Sequence, residues 1–195
     1  MKTSASEKIR HAAVGLFAHK GYAATTTREI CQRAGVTKPV LYYHFKSKER
    51  LFTELVLRAW QDCDRQLLLA SKRGKSAREK LVDVLAADFE LTQRDPRLAT
   101  ILFRMVFAPQ KETPGIDCVK IGMDWAGLIA GIVRAGIRRG EMQGRPKDVG
   151  EAILGVHVIY TLSFLLTGRP KLDRKLARRV VDLMVKGCGA RHADR

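Results

Sequence analysis

Apolar positions recur at three- and four-residue spacing along nearly the whole chain, with no sustained period-two alternation, and this pattern predicts an all-α protein. Between Ser4 and Lys20, the residues Ile9, Ala12, Ala13, Leu16 and Phe17 form one face, and the run stops at Gly21. Thr26 stands three residues before Glu29, the spacing of a capping box, in which hydroxyl and carboxylate each satisfy an orphan amide. A short second helix is therefore predicted from Thr27, burying Ile30, Cys31 and Ala34 and leaving through Gly35, where a left-handed turn costs least. Val36 follows as a core anchor. Thr37 is placed to cap a third helix over about Lys38 to Phe45, with Pro39 in the first turn where a missing N–H costs nothing. Ser47 then caps a fourth that continues to Leu69.

Two short helices joined by a glycine-containing turn form a helix-turn-helix pattern. Val36 and Leu41 can pack back onto Ile30 and Phe17, which leaves Lys38, Tyr42, Tyr43, His44 and Lys46 facing outward. After a basic linker (Lys72, Arg73, Gly74, Lys75), Ala77 to Thr92 carries Leu81, Val84, Leu85, Asp88 and Phe89 on one stripe. Asp95 caps a helix from Pro96 to Phe107, a loop is expected near Gln110 to Pro114, and a long helix runs from Ile116 to about Arg139. Gly140 to Lys147 reads as a turn, Val149 to Leu166 and Leu172 to Lys186 as a final helix pair, and the polar tail after Gly187 as frayed. Ala152 to Gly168, the longest uncharged stretch, falls short of the roughly 20 apolar residues that span a bilayer and is expected to be a buried helix. Gly150, Ile153, Leu154, His157, Thr161 and Leu165, with Leu176, Val180, Leu183 and Met184, have the spacing of a helix-helix seam, so self-association is the expected use of this pair.

Composition narrows the classes. At 195 residues and 46% hydrophobic, the chain can bury a real core and is not a disordered tail. The 36 Lys and Arg against 20 Asp and Glu leave a net charge of +16, which points to a polyanionic partner, either nucleic acid or an anionic membrane surface. Residues 1–60 hold eleven basic side chains against four acidic ones, so the excess is densest at the helix-turn-helix end. The cysteines at 31, 63, 118 and 188 are too scattered for a zinc ribbon or a disulfide framework. Met1 to Arg10 holds no apolar signal core, so a reducing cytoplasm is expected, with Cys31 as a small buried hydrophobe rather than a redox switch. No G-x-S-x-G, H-E-x-x-H or phosphate-cradling Gly-Lys-Ser/Thr loop is present; neither a catalytic residue, a metal nor a cofactor is expected.

The run from Thr25 to Phe52, TTTREICQRAGVTKPVLYYHFKSKERLF, resembles the DNA-binding segment of TetR/AcrR-family transcriptional regulators, and the likeness extends upstream through Leu16-Phe17 and Gly21-Tyr22. The resemblance implies a DNA-binding domain over residues 1–47 and an effector-binding and dimerisation domain over 48–195. It implies a ligand-responsive repressor that grips double-stranded operator DNA as a homodimer through its last two helices and is released by a small, apolar effector, with no membrane involved. Carried over residue by residue, Thr27 and Arg28 match the family's backbone-contacting helix start, and Lys38, Pro39, Tyr42 and His44 its groove-facing positions, with Thr37 counted among the DNA-binding residues. Tyr43 matches an aromatic that touches phosphate or base edge, while Lys46 and Lys48 supply phosphate-neutralising charge. Phe89, Phe103, Phe107, Trp125, Leu128, His157 and Tyr160 are candidates to line the effector cavity, core packing being the cheaper account of each taken singly. A small helical enzyme with a substrate-steering basic face and a non-specific DNA-coating protein remain the alternatives.

Overall fold

The computed structural model describes residues 3–107 and 114–186, and among these all regular structure is helical. The elements are α1 (Ala5–Lys20), α2 (Thr27–Ala34), α3 (Lys38–Phe45), α4 (Lys48–Ala70), α5 (Ala77–Arg94), α6 (Pro96–Phe107), α7 (Cys118–Arg138), α8 (Pro146–Thr167) and α9 (Arg174–Lys186). The loop expected before Pro114 and the tail from residue 187 lie outside the described residues.

Local chemistry sets the helix starts. Ser4 and Glu7 close one capping box and Thr26 and Glu29 another, and Gly35 leaves α2 at φ 64°, the left-handed turn that admits glycine most cheaply. Where the ends differ from the sequence expectation, a carboxylate or a proline decides. Asp117 accepts from the Lys120 amide at 2.8 Å and delays α7 to Cys118. Asp173 accepts from the Leu176 amide at 3.0 Å and delays α9 to Arg174. Pro146 at the first turn opens α8 three residues before Val149 and shortens the expected turn.

The helices form two compact units. The first holds the described residues of Met1–Asp62 and Asp95–Ile121. Its core gathers Ile9, Phe17, Ile30, Leu41, Phe45, Leu51 and Phe52, with Ile101 and Met105 from α6. α6 lies along α1, where Arg104 donates to the His19 carbonyl at 3.0 Å and the Arg97 guanidinium meets His11 Nε2 at 3.4 Å.

The second unit holds Cys63–Arg94 and the described residues of Gly122–Arg195. α5 is its axis, buried on most sides and packed against α8 and α9, with Arg78–Asp182 and Arg174–Asp83 ion pairs at its flanks. α7 and α8 approach closely at Gly150, where a Cβ would stand 2.6 Å from the Ala126 carbonyl oxygen.

One expectation needs correction. α8 is not a buried helix within the protomer: only 17% of its most apolar window is buried, although its length and composition would let it cross a membrane. Of the residues expected to form a self-association seam, Gly150, Ile153, Thr161, Leu176 and Val180 are buried in the protomer's own unit, whereas Leu154, His157, Leu165 and Met184 are half-buried and Leu183 is 50% exposed. On the opposite side of α8, Ile159 and Leu166 are 60% and 75% exposed.

The α7–α8 contact yields a stability prediction. Gly150→Val should destabilise the fold by about 1–3 kcal/mol, because backbone and not a flexible side chain occupies the space. Urea unfolding of the variant with an unchanged midpoint would refute it.

Candidate functional site

α3 displays the sequence-predicted surface. Thr37, Lys38, Pro39, Tyr42, Tyr43, His44 and Lys46 are all exposed, while Leu41 and Phe45, one turn apart, are buried. Tyr43 is 76% exposed and stands edge-on to His44 at 5.1 Å. Two adjacent aromatics on a rigid helix with nothing to pack against present flat faces and hydrogen-bonding tips to whatever docks there. Thr37 occupies the N-cap of α3 but makes no side-chain cap bond, so its hydroxyl and the first amides of α3 stay available to an anion. At the start of α2, Arg28 is exposed and Thr27 half-buried. Lys46 ends α3 at φ 62°, a backbone state that L-residues adopt at a cost of order 1 kcal/mol, and its amide bonds the Tyr42 carbonyl at 3.0 Å.

Lys48 is engaged differently from its neighbours. Its ammonium donates to the carbonyls of Tyr22 (3.0 Å) and Thr25 (2.9 Å) and sits 4.1 Å from the centre of the Tyr22 ring. Burial lowers its hold on the proton. Two of its three donors thus fasten the α1–α2 turn to the start of α4.

A second support escaped the sequence reading. The Arg10 guanidinium lies 5.3 Å over the Phe45 ring and donates to Glu54 Oε1 at 3.0 and 3.2 Å; Glu54 also faces Arg58. This ties α1, α3 and α4 together behind the exposed face. Its partners are 44 residues apart, so no local spacing announced it.

In the second unit, Phe89, Trp125 and His157 come together: the His157 ring stacks on Trp125 at 5.0 Å and on Phe89 at 5.7 Å. Leu128 and Tyr160 pack half-buried on the same core. Phe103 lies on α6 in the first unit, and the Phe107 side chain is outside those described. What the sequence reading did not anticipate is Asp88, which contacts His157 Nε2 directly and accepts from the Cys63 thiol at 3.6 Å. Burial would raise the Asp88 pKa, yet His157 outweighs it and holds the carboxyl below its ordinary range, while burial and Asp88 push the Cys63 thiol up. The available signal was a lone carboxylate inside the stripe Leu81, Val84, Leu85, Asp88, Phe89. A surface recess of about 450 Å³ opens elsewhere, at Arg134, Arg145, Pro146, Lys147, Asp148 and Glu151, and none of the candidate effector residues lines it. No cluster of three or more metal-ligating side chains occurs among the described residues.

Residues 9–55 match the model of the bacterial regulatory proteins, tetR family. The chain is 51% identical over 45 residues to the HTH-type transcriptional regulator YerO of Bacillus subtilis, a match covering 23% of this chain and 16% of that protein's length. It is 25% identical over 182 residues to the fatty acid metabolism regulator protein of the same organism, covering 92% of this chain and 93% of that one. The crystal structure of the transcriptional regulator FadR from Bacillus subtilis in complex with stearoyl-CoA superimposes with a TM-score of 0.76 at 24% identity, covering 93% of this chain and 98% of that chain, a likeness of fold.

Glu29 supplies a pH test of the head. Hydrogen bonds from Lys20 and from the Thr26 amide and hydroxyl hold its pKa down from an ordinary 4.5 to about 2. The stabilisation is complete above pH 4.5 and is lost as pH falls toward 2. Thermal melting across that window should show wild type losing stability faster than Glu29→Gln; parallel curves would remove the carboxylate from this role.

Proposed function

Because the chain belongs to the tetR family of bacterial regulatory proteins, we propose that it is a ligand-responsive transcriptional repressor that binds a palindromic operator as a homodimer in the cytoplasm and is released by a small apolar effector. The observation that carries the DNA-binding part is the outward face of α3, with Tyr42, Tyr43, His44, Lys38 and Lys46 exposed above a buried Leu41–Phe45 seam. Such a helix fits the major groove with donors, acceptors and flat faces at base edges. Thr27, Arg28 and Thr37 take the flanking backbone, where phosphate contacts fix register without reading sequence, and Pro39 faces the groove with the rest of the α3 surface. Lys48 serves by holding the α1–α2 turn to the start of α4. Residues 1–47 are the reader, and residues 48–195 serve effector binding and pairing of copies.

The exposed apolar side of α8 and α9 supports the homodimer. Ile159, Leu166 and Leu183 are large apolar side chains left to water in one protomer, beside the exposed Gly155, and a second copy would cover them. Pairing sets two α3 helices on successive turns of a palindrome, roughly 34 Å apart. The apolar core around Phe89, Trp125, Leu128, His157 and Tyr160 supports an effector site of matching character, and the fatty acid metabolism regulator among the relatives supports an alkyl-chain effector.

Two measurements test this reading. Selection of bound sequences from random DNA should return a palindrome, and Tyr42→Ala with His44→Ala should weaken that site by roughly a hundredfold or more while the protein stays a dimer; unchanged affinity for the selected site would sink the assignment. In sedimentation, Ile159→Lys with Leu166→Lys should convert dimer to monomer and remove operator binding at equal protein concentration. A doubly substituted protein that still sediments as a dimer would place the interface elsewhere.

A further inference from the structure

We infer that Trp125 Nε1 and His157 Nδ1 form the polar anchor of a ligand site inside the second unit, which takes an uncharged oxygen function, a hydroxyl or a carbonyl, on an otherwise apolar molecule; this deepens the effector reading above and rests on it. Both nitrogens are fully buried and find no partner among protein groups. Buried N–H groups and ring nitrogens left unpaired are costly, and native cores seldom keep them without a use. Here two occur on neighbouring stacked rings from different helices, α7 and α8. Core packing alone would be served better by a phenyl ring at either position.

The ring's other nitrogen is spoken for. His157 Nε2 contacts the Asp88 carboxylate, with the Thr161 hydroxyl at 3.3 Å, and these partners fix the orientation of the imidazole. The indole N–H offers a hydrogen to an oxygen beside Nδ1. A hydroxyl, which both donates and accepts, suits the indole and Nδ1 together whichever way the imidazole is protonated, and a carbonyl oxygen is received by the indole N–H.

Charge and surroundings fix the rest of the ligand. Asp88 leaves its pair with His157 no spare positive charge, so a ligand carboxylate buried here would go unpaired. Phe89 stacks on the imidazole, and Leu85, Ile129 and Ile153 belong to the same apolar core. The site therefore accepts an alkyl or ring body and selects against an acid.

The test uses full-length protein and four probes with the same ten-carbon chain: 1-decanol, methyl decanoate, decanoate and decane, with affinities measured by calorimetry. Wild type should bind 1-decanol or methyl decanoate roughly tenfold or more tightly than either decane or decanoate. Trp125→Phe, which keeps a ring and removes the N–H, should shrink that preference, whereas Trp60→Phe, on the stretch of α4 that belongs to the first unit, should leave it. Equal affinity for decane, tightest binding of decanoate, a preference that survives in Trp125→Phe, or no binding of any probe would overturn the inference. If Trp125→Phe does not fold, the wild-type ranking decides alone. Operator binding is measured on the same preparations: intact operator binding without an oxygen preference removes the anchor and leaves the regulator, and the converse removes the DNA reading and leaves the anchor.

Discussion

An eight-residue helix in water does not hold its shape, because nucleation consumes most of what its few hydrogen bonds return. α3 is that short, so its outward face exists only because Leu41 and Phe45 are buried on the other side. Burying two such side chains is worth about 1.5–3 kcal/mol each, which is enough to fix a helix of two turns against neighbours that are themselves fixed. Those neighbours are α1 and α2. Phe17 of α1 stands edge-on to Phe52 of α4 at 5.0 Å, with Tyr22 against Phe52 at 4.9 Å, and this aromatic contact forms the floor of the head.

Charge then works at two depths. Arg10 and Lys48 spend their cations inside the head, one over Phe45 and bonded to Glu54, the other over Tyr22 and bonded to two carbonyls. Both lock rings that the core needs in one orientation. Lys38, Lys46 and Arg28 keep theirs in water, where they remain free for phosphate. A net charge of +16 therefore overstates the surface field near α3, since part of it is structural.

The head was legible because its signals are local. Thr26 with Glu29, Gly35, Pro39 and the spacing of Ile30, Leu41 and Phe45 each act within a turn or two, and the bounds of α2 and α3 follow from them. Signals that join distant segments were not. The Arg10–Glu54 and Lys48–Tyr22 contacts depend on how helices pack, and so does the packing of α6 on α1. α8 shows the limit most clearly. Periodicity located an apolar helix, but Gly150, Ile153 and Thr161 share one side and Ile159 and Leu166 another, and nothing in the sequence says which side meets α5. Of the candidate effector residues, Phe89, Trp125 and His157 were brought together, whereas Phe103 went to the other unit.

The Asp88–His157 pair is hard to explain as a source of stability. Taking two ionisable groups out of water costs several kcal/mol each, and apolar residues of similar volume in such places are often neutral or better. Asp88 stands in the apolar stripe Leu81, Val84, Leu85 and Phe89 of α5, so a leucine at position 88 would extend that stripe without interruption. What the carboxylate does that a leucine could not is hold one orientation of an imidazole between two aromatic rings. That is a geometric service, and it has value only when the imidazole's other nitrogen must meet something in a fixed place. The two units thus use polar groups in opposite senses: the head keeps its polar face in water and buries what supports it, while the second unit buries its polar contact and surrounds it with apolar walls.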